Sequence, residues 1–468
     1  MRSRLKLPAT RADKVPATSG QVLLLKPLAQ VIALLVFAGG AHAAQPQAFS
    51  SGWFSAKGAA QTAGSARPGV VMPGTPPPLS QQQRGNEQLQ RSLQNLNTSV
   101  AAIAAQQAVQ AAARSSAGAA PQSIHNGLGG NGLNVVIGAD GKPLFVNAEG
   151  PVQTDANGKT LVSIKQTADK AILNWQTFNV GRDTTVQFQQ NSDWAVLNKI
   201  NNSTAPSQIQ GAIKADGTVM IVNGNGVVFS GSSQVNVRNL VAAATGFSDE
   251  QFTARGLYSA SNSAPSFAQA AGNVTVERGA QIQTQVPATS TAGGGYVLLL
   301  GKEVANAGSI STARGQTVLA AGDSFVIKKG YSTDGNVAST TRGNEVSVTG
   351  SGKASNTGLI QASTGDITLT GQQVLQNGVV LSSSSVEARG TVHLKGTGSN
   401  ASVSLGEGSL SAIVLDSSNA LDSQRAGLIT PAADQAGNVV PADVYRRDQS
   451  LVEITSDGTV DFLSLIHI

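Results

Sequence analysis

The sequence predicts a mainly β protein built as a right-handed parallel β-helix, a solenoid whose turns stack along one axis, with capping strands at its N-terminal end. Three observations predict it. Small residues dominate: Gly occurs 52 times in 468 residues, aromatics make up 4% and charged residues only 13%, where about 25% charged is usual. Short alternating apolar runs recur between Asp-Gly and Asn-Gly pairs, which supply the positive φ of tight turns. A loose repeat also emerges after residue 270. Asn306 to Gly322 resembles Asn356 to Gly371, and a third copy opens at Asn377-Gly378, 21 residues after Asn356, a spacing that suits one turn of a β-helix. In such a stack each turn buries small aliphatic side chains and pairs its backbone with the turns above and below. Corners take Gly or Asn, and stacked Asn side chains bond along the axis.

The chain opens with a basic stretch over 1–26 and an apolar run from Leu28 to Phe37. Ala41 and Ala43 then supply small residues at −3 and −1 of a cleavage site, which predicts an extended signal peptide over 1–43. The net charge of +5 sits wholly in this segment, so the remainder is neutral and makes no case for nucleic acid. Residues 44–124 read as a low-complexity linker rich in Ala, Gln and Pro. It contains a helix near 79–114, where Leu89, Leu93, Leu96, Val100 and Ile103 recur at spacings of 4 and 3; two heptads make a marginal or docking helix rather than a stable coiled coil.

Gly127 to Gly132 matches GxGxxG, but a loop precedes it and the β-like Leu133-Asn-Val-Val-Ile137 follows. A dinucleotide site needs the reverse order, so these glycines open the first strand. Asp140-Gly141, Asn157-Gly158 and Asp216-Gly217 each separate apolar runs and predict hairpin turns. One short helix is predicted within 239–254. Residues 323–350 interrupt the repeat as an insertion with a strand near Val346 to Val348. Residues 396–462 read as further turns or the start of a repeat region. Residues 463–468 read as a translated adaptor, with the natural chain expected to run on.

The chain has no cysteine, which removes disulfides, thiolate metal sites and a cysteine nucleophile. Outside the leader and the adaptor-like end, the histidines are His125 and His393, far apart and without acidic neighbours at ligand spacing. There is no nucleophile elbow, phosphate loop or set of paired carboxylates. No enzyme, catalytic residue, cofactor or metal is expected.

The informative blocks are of another kind. Ile172-Leu-Asn174-Trp175-Gln-Thr-Phe178-Asn179-Val-Gly181 is followed by Trp194-Ala-Val-Leu-Asn198-Lys-Ile200. Then come Pro206-Ser-Gln-Ile-Gln-Gly211, Asp216-Gly-Thr-Val-Met-Ile-Val222, Asn223-Gly224-Asn225-Gly226-Val-Val-Phe229 and Gln234-Val-Asn-Val-Arg-Asn-Leu-Val241. Their order and spacing resemble the secretion domain of filamentous haemagglutinin-like exoproteins, closely over 172–241 and more loosely over 125–395. The resemblance implies two-partner secretion. The general secretion machinery exports the chain, periplasmic modules of a dedicated outer-membrane β-barrel transporter recognise its N-terminal domain, and it folds outside, secreted or on the cell surface. The family's Asn-Pro-Asn-Gly is met here by Asn223-Gly224-Asn225-Gly226. Gly stands where Pro is usual, a turn with less pre-organisation. The second family motif, Asn-Pro-Asn-Leu, has no clear match.

On that resemblance Asn223, Gly224, Asn225 and Gly226 are the candidate secretion motif. Asn174, Trp175, Phe178, Asn179 and Asn198 are candidates for transporter recognition or for the cap. Residue chemistry alone also allows Trp175 and Phe178 to be core packing, Asn179 and Asn198 to be corner residues, and the tetrapeptide to be a folding turn. The leading reading is an adhesin-like exoprotein with a host-cell or bacterial surface receptor. The same chain read as a stalk delivers a contact-dependent toxin or haemolysin. A β-helical polysaccharide lyase is the remote alternative, against which the scattered acidic residues speak.

Overall fold

The computed structural model of the chain describes residues 79–201, 203–261, 263–288, 293–330, 343–384, 390–415 and 450–462. The expected signal peptide with Ala41 and Ala43, the linker over 44–78 and the adaptor-like 463–468 lie outside them.

Short apolar strands need a backbone partner on each side, and here the chain supplies both by stacking on itself in parallel. Each turn lays strands on three faces. The first face runs from Lys159–Lys165 through Thr184–Gln189, the first part of Ala212–Asn223 and the first part of Gln234–Ala243. It continues through Gln281–Thr284, Ser309–Ser311, Leu359–Ala362 and Val379–Ser384 to Leu410–Leu415. The second runs from Lys170–Phe178 through Ala195–Ile200 and the later parts of the same two long strands, then Tyr296–Gly301, Gln316–Ala321, Asp366–Gly371, Thr391–Gly396 and Leu451–Ser456. The third begins at Ser207–Ile209 and Gly226–Phe229 and ends at Thr459–Phe462. Register follows chemistry. Val162, Val186, Ile213, Val235, Ile282, Ile310, Ile360 and Val380 stand partner above partner in one buried interior column.

The cap is antiparallel. Val152–Ala156 folds back on Lys159–Lys165 through Asn157 (φ 51°) and Gly158 (φ 72°), the hairpin that Asn-Gly predicts. Asp140-Gly141 also turns the chain back on itself: Ile137 bridges Pro143 antiparallel, the Gly138 amide donates to the Lys142 carbonyl oxygen and the Leu144 amide to that of Val136, both at 2.8 Å. The strands beyond that turn, Leu133–Val135 and Phe145–Val146, both pair antiparallel with Lys170–Phe178 and cover its free edge. Asp216-Gly217 makes no hairpin. Ala212–Asn223 runs through it as one strand whose two parts pair with different faces. Gly217 is needed for packing at that bend, since a Cβ would lie 2.1 Å from Gln190 Nε2 and 2.5 Å from the Trp194 carbonyl oxygen.

The repeat stacks as read, with one shift. Asn306 pairs with Asn356, but Asn356 pairs with Gln376 rather than Asn377, so the third copy opens one residue earlier. The longer glutamine completes a buried amide ladder. Asn306 Nδ2 donates to Asn356 Oδ1 at 2.8 Å, Asn356 Nδ2 to Gln376 Oε1 at 2.8 Å, and Gln376 Nε2 to the Leu410 carbonyl oxygen at 3.1 Å.

Two excursions leave the stack between the second and third faces. One carries helix α2 (Asp249–Arg255), capped by Ser248, and the short strand Phe267–Ala268; the other is the hairpin of Ser324–Lys329 and Asn344–Thr349, the expected insertion. Phe267 pairs with Phe325 between them. Together they lay Phe247, Phe252, Phe267, Phe325 and Ile327 over Met220, Val241, Leu298, Leu300 and Val318. The second face is thus buried on both sides there, which accounts for the unbroken apolar run Val297-Leu-Leu-Leu300. Before the cap, helix α1 (Leu79–Ala119) lies against the first face.

At the last described turns, buried His393 pairs in register with Glu453, its Nδ1 2.8 Å from Glu453 Oε2, with Lys395 Nζ at 3.5 Å. The hydrogen bond to His393, helped by the Lys395 charge, holds the Glu453 carboxyl at a pKa of about 2, down from 4.5.

Two outcomes follow. Asn356→Leu leaves buried amides of Asn306 and Gln376 without partners and lowers unfolding free energy by about 1–3 kcal/mol for each stranded group, read from the denaturant midpoint. Glu453 has a depressed pKa in the folded state, so its contribution is present above pH 4.5 and fades as pH falls toward 2. Amide exchange of Leu451–Ser456 therefore accelerates over that window, and Glu453→Gln removes the pH dependence.

Candidate functional site

The candidate residues gather at the second-face ends of the first turns. Trp175, Ile200 and Asn223 are in-register partners on successive turns. The Trp175 ring is fully buried and meets Phe178 edge-on at 5.2 Å between centroids and Phe145 at 5.4 Å. Its Nε1 donates to Asn198 Oδ1 at 3.0 Å, and Asn198 Nδ2 donates to the Met220 carbonyl oxygen at 3.1 Å. This relay ties three turns together. It also corrects the placing of Asn198, which lies inside the strand Ala195–Ile200 and not at a corner. A buried amide there is tolerated because both its ends are satisfied.

The remaining asparagines converge on the described residues between Asn201 and Gln208, where the chain leaves the second face and enters the third at Ser207–Ile209. Asn201 Nδ2 donates to Asn174 Oδ1 at 2.7 Å, while Asn174 Nδ2 donates to the Leu144 carbonyl oxygen of the cap at 2.9 Å. Asn225 Nδ2 donates to the Ser203 carbonyl oxygen at 2.5 Å. Asn223 Nδ2 donates to the Ala205 carbonyl oxygen and to Ser207 Oγ, both at 3.1 Å. Asn179 Oδ1 accepts from the Gln208 amide at 2.8 Å, and its Nδ2 donates to the Asn131 carbonyl oxygen at 2.8 Å. Pro206 brings no backbone donor to this stretch, so side-chain amides do what a strand ladder does elsewhere.

Within the tetrapeptide the four residues have separate tasks. Asn223 is buried, and its Oδ1 accepts from the Asn225 amide at 3.0 Å, closing an Asx turn. Gly226 holds φ 125°, and a Cβ there would lie 2.7 Å from the Asn273 carbonyl oxygen of the next turn. Gly224 and Asn225 face outward. Gly224 lacks a left-handed φ and has open space where a Cβ would stand, so the residue that departs from the family's pattern occupies a place that does not require glycine.

The chemistry on offer is hydrogen bonding and shape. The site residues are amides, aromatics and glycines, with nothing to carry a proton or a nucleophile. Among the described residues no His, Asp and Glu cluster is arranged to hold a metal. The sequence reading passed over Asn201 and Ser203, although the run Asn201-Asn-Ser-Thr before Pro206 is a turn cluster by composition. It also passed over a set of exposed apolar side chains around the cap: Ile137, Leu144, Val146, Val152 and Leu161, each at least 40% exposed. In the sequence these look like ordinary strand positions, because exposure at an uncovered end has no periodic signature.

Gly224→Pro is accommodated and raises stability by about 0.4–1 kcal/mol through the unfolded state, since the preceding Asn223 ends a strand and is already extended. Gly226→Ala is destabilising by more than that. Thermal unfolding of the two variants checks both signs.

The model of the TPS secretion domain matches residues 136–415. A heme/hemopexin-binding protein of Haemophilus influenzae is 36% identical over 94 residues, 20% of this chain and 10% of that protein. Its counterpart from strain Rd is 32% identical over 92 residues, 19% of this chain and again 10% of the relative. The chain therefore spans about a tenth of the length of these curated relatives. Among solved structures, the HMW1 secretion domain from Haemophilus influenzae aligns over 59% of this chain and 65% of its own, at 21% identity and a TM-score of 0.42. The family match covers more than half of the chain, and the chain belongs to the TPS secretion domain family of two-partner secretion exoproteins.

Proposed function

We propose that this domain addresses the chain to a dedicated outer-membrane β-barrel transporter, whose periplasmic modules read its N-terminal end, and that the exported product is an adhesin-like exoprotein displayed on or released from the cell surface. The observation that carries the reading is the exposure pattern at the cap. Apolar side chains at Ile137, Leu144, Val146, Val152 and Leu161, on or beside the strands of the cap and first turn, stand in solvent, and exposed apolar surface is what a partner would cover. The strand Val152–Ala156, exposed along its whole length, offers an open edge to a partner strand.

Asn223 and Asn225 contribute to this function through the shape of the connection from Asn201 to Gln208, and Asn174 and Asn179 act in the same way, while Asn198 acts by tying Trp175 to the turn at Met220, with Trp175 and Phe178 as packing. An adhesin, a toxin stalk and a haem-carrier binder of the kind named among the relatives share this address and differ in the passenger. We favour the adhesin-like reading because the described chain continues as regular turns of β-helix up to Phe462, a rigid spacer suited to presenting a binding surface.

Co-expression with the cognate transporter in a Gram-negative host tests the proposal by immunoblot of medium and periplasm. The chain is expected in the medium only when the transporter is present. Asn223→Ala combined with Asn225→Ala is expected to lower that amount several-fold. Equal appearance with and without the transporter contradicts the address; unchanged export of the double variant removes the role given to the asparagines.

A further inference from the structure

In a solenoid each turn touches only its neighbours, yet helix α1 touches turns far apart. At its C-terminal end Arg182 donates through Nη1 to the carbonyl oxygens of Ala117 and Gly118 at 3.2 and 2.7 Å, and to that of Ala120. These are acceptors that a helix end leaves open. Further along, Arg114 Nε donates to the Gly279 carbonyl oxygen at 2.9 Å. Gln110 Oε1 accepts from the Gly279 amide at 2.6 Å, and its Nε2 donates to the Ala307 carbonyl oxygen at 2.7 Å. Nearer the N-terminal end, Ile103 is 2% exposed and packs with Val100 on Leu359, Val379, Leu381 and Leu410. The helix therefore lies along the stacking axis and runs against the direction of growth. The lengths agree. Ala117 to Ile103 spans about 21 Å at ~1.5 Å per residue. The turns from Gly231, which approaches Ala117, to Leu410 span about 24 Å at ~4.8 Å per strand.

The outer surface of the first face changes character along the same line. By register its outward column reads Gln234, Gln281, Ser309, Leu359, Val379, Leu410. The polar part lies under the half of the helix that carries Gln110 and Arg114, the apolar part under Val100 and Ile103. Gly279 is the point of closest approach: a Cβ there would lie 2.8 Å from the Arg114 backbone nitrogen. Polarity, spacing and backbone access thus match in one register.

We propose that helix α1, seated on the first face from Gln281 to Leu410, is a clasp which closes only once the turn bearing Leu410 has formed. Closing it joins the turn at Arg182 to the turn at Leu410, so stability ceases to be a sum over neighbouring turns and the turns between them open as one unit. The helix itself depends on this. Most helical stability in a protein comes from tertiary packing, and the packing of Ile103 waits for Leu359, Val379, Leu381 and Leu410, so that part of the helix docks late. This inference concerns folding and stands independently of the proposed transporter.

Native-state hydrogen exchange on the full chain tests it, with one change on each side of the contact: Ile103→Gln on the helix and Leu381→Gln on the face. Leu381 is an outward position whose in-register neighbour Gln361 is already glutamine, so the strand itself accepts the change. In either variant, exchange of helix amides over 97–119 is expected to rise about tenfold or more, as for a segment that opens locally. Val379–Ser384 and Leu410–Leu415 speed up with it, Lys159–Gln189 stays as it was, and the double variant adds little to either single one. Unchanged helix exchange in both variants overturns the proposal. So does an equal rise at Lys159–Gln189, which would mark general destabilisation. A dimer by light scattering whose helix stays protected would mean that the face takes the helix of a second copy, and overturns the same-chain clasp.

Discussion

The stack depends on how its first turn is closed. A parallel strand pair gains most of its order from neighbours on both sides, and the first turn has a neighbour on only one. This chain covers the exposed edge of Lys170–Phe178 with two short antiparallel strands and fills the space beneath with large rings. Trp175, Phe178, Phe188 and Phe229 all lie in the first turns, fully buried. Farther along, the same interior is made of Val, Ile, Leu and Ala. Burying large apolar surface early gives the first turns stability of their own, and each later turn then needs only its neighbour as a template.

That constraint gives the motif asparagines a physical meaning. They hold the one connection, 201–208, that must pass from the second face to the third before the third face exists as a ladder. Asn174 and Asn179 come from one block of the sequence and Asn223 and Asn225 from another, but they hold Asn201, Ser203, Ala205, Ser207 and Gln208 through carbonyl oxygens, an amide and side chains. In the function proposed above, their effect on export would be indirect, through the shape of this end of the molecule.

Much of this was legible in the sequence, and the exceptions are instructive. The Asn157-Gly158 hairpin, the insertion near 323–350, the short helix within 239–254 and the stacking of Asn306 on Asn356 follow from local turn chemistry and from spacing. The turn at Asp140-Gly141 follows from the same signal. Asp216-Gly217 carries that signal too but makes no hairpin, because a tertiary constraint decides: its glycine serves a close approach between faces. The Gln376 substitution in the amide ladder escaped a reading that looked for Asn, since hydrogen-bonding role rather than residue identity is what repeats. The convergence on 201–208 was invisible for a different reason: it joins residues far apart in the chain, and only the register of the turns brings them together.

With large rings buried early, the aromatic first turns should fold as the seed, and order should spread from them toward the C-terminal turns. Pulse-labelled hydrogen exchange during refolding of the full chain tests this most directly. Amides of Lys159–Lys165, Lys170–Phe178, Thr184–Gln189 and Ala212–Asn223 should gain protection first, followed in order by Tyr296–Gly301, Asp366–Gly371 and Thr391–Gly396. Protection that appears first in the later strands, or in all of them at one rate, would contradict it.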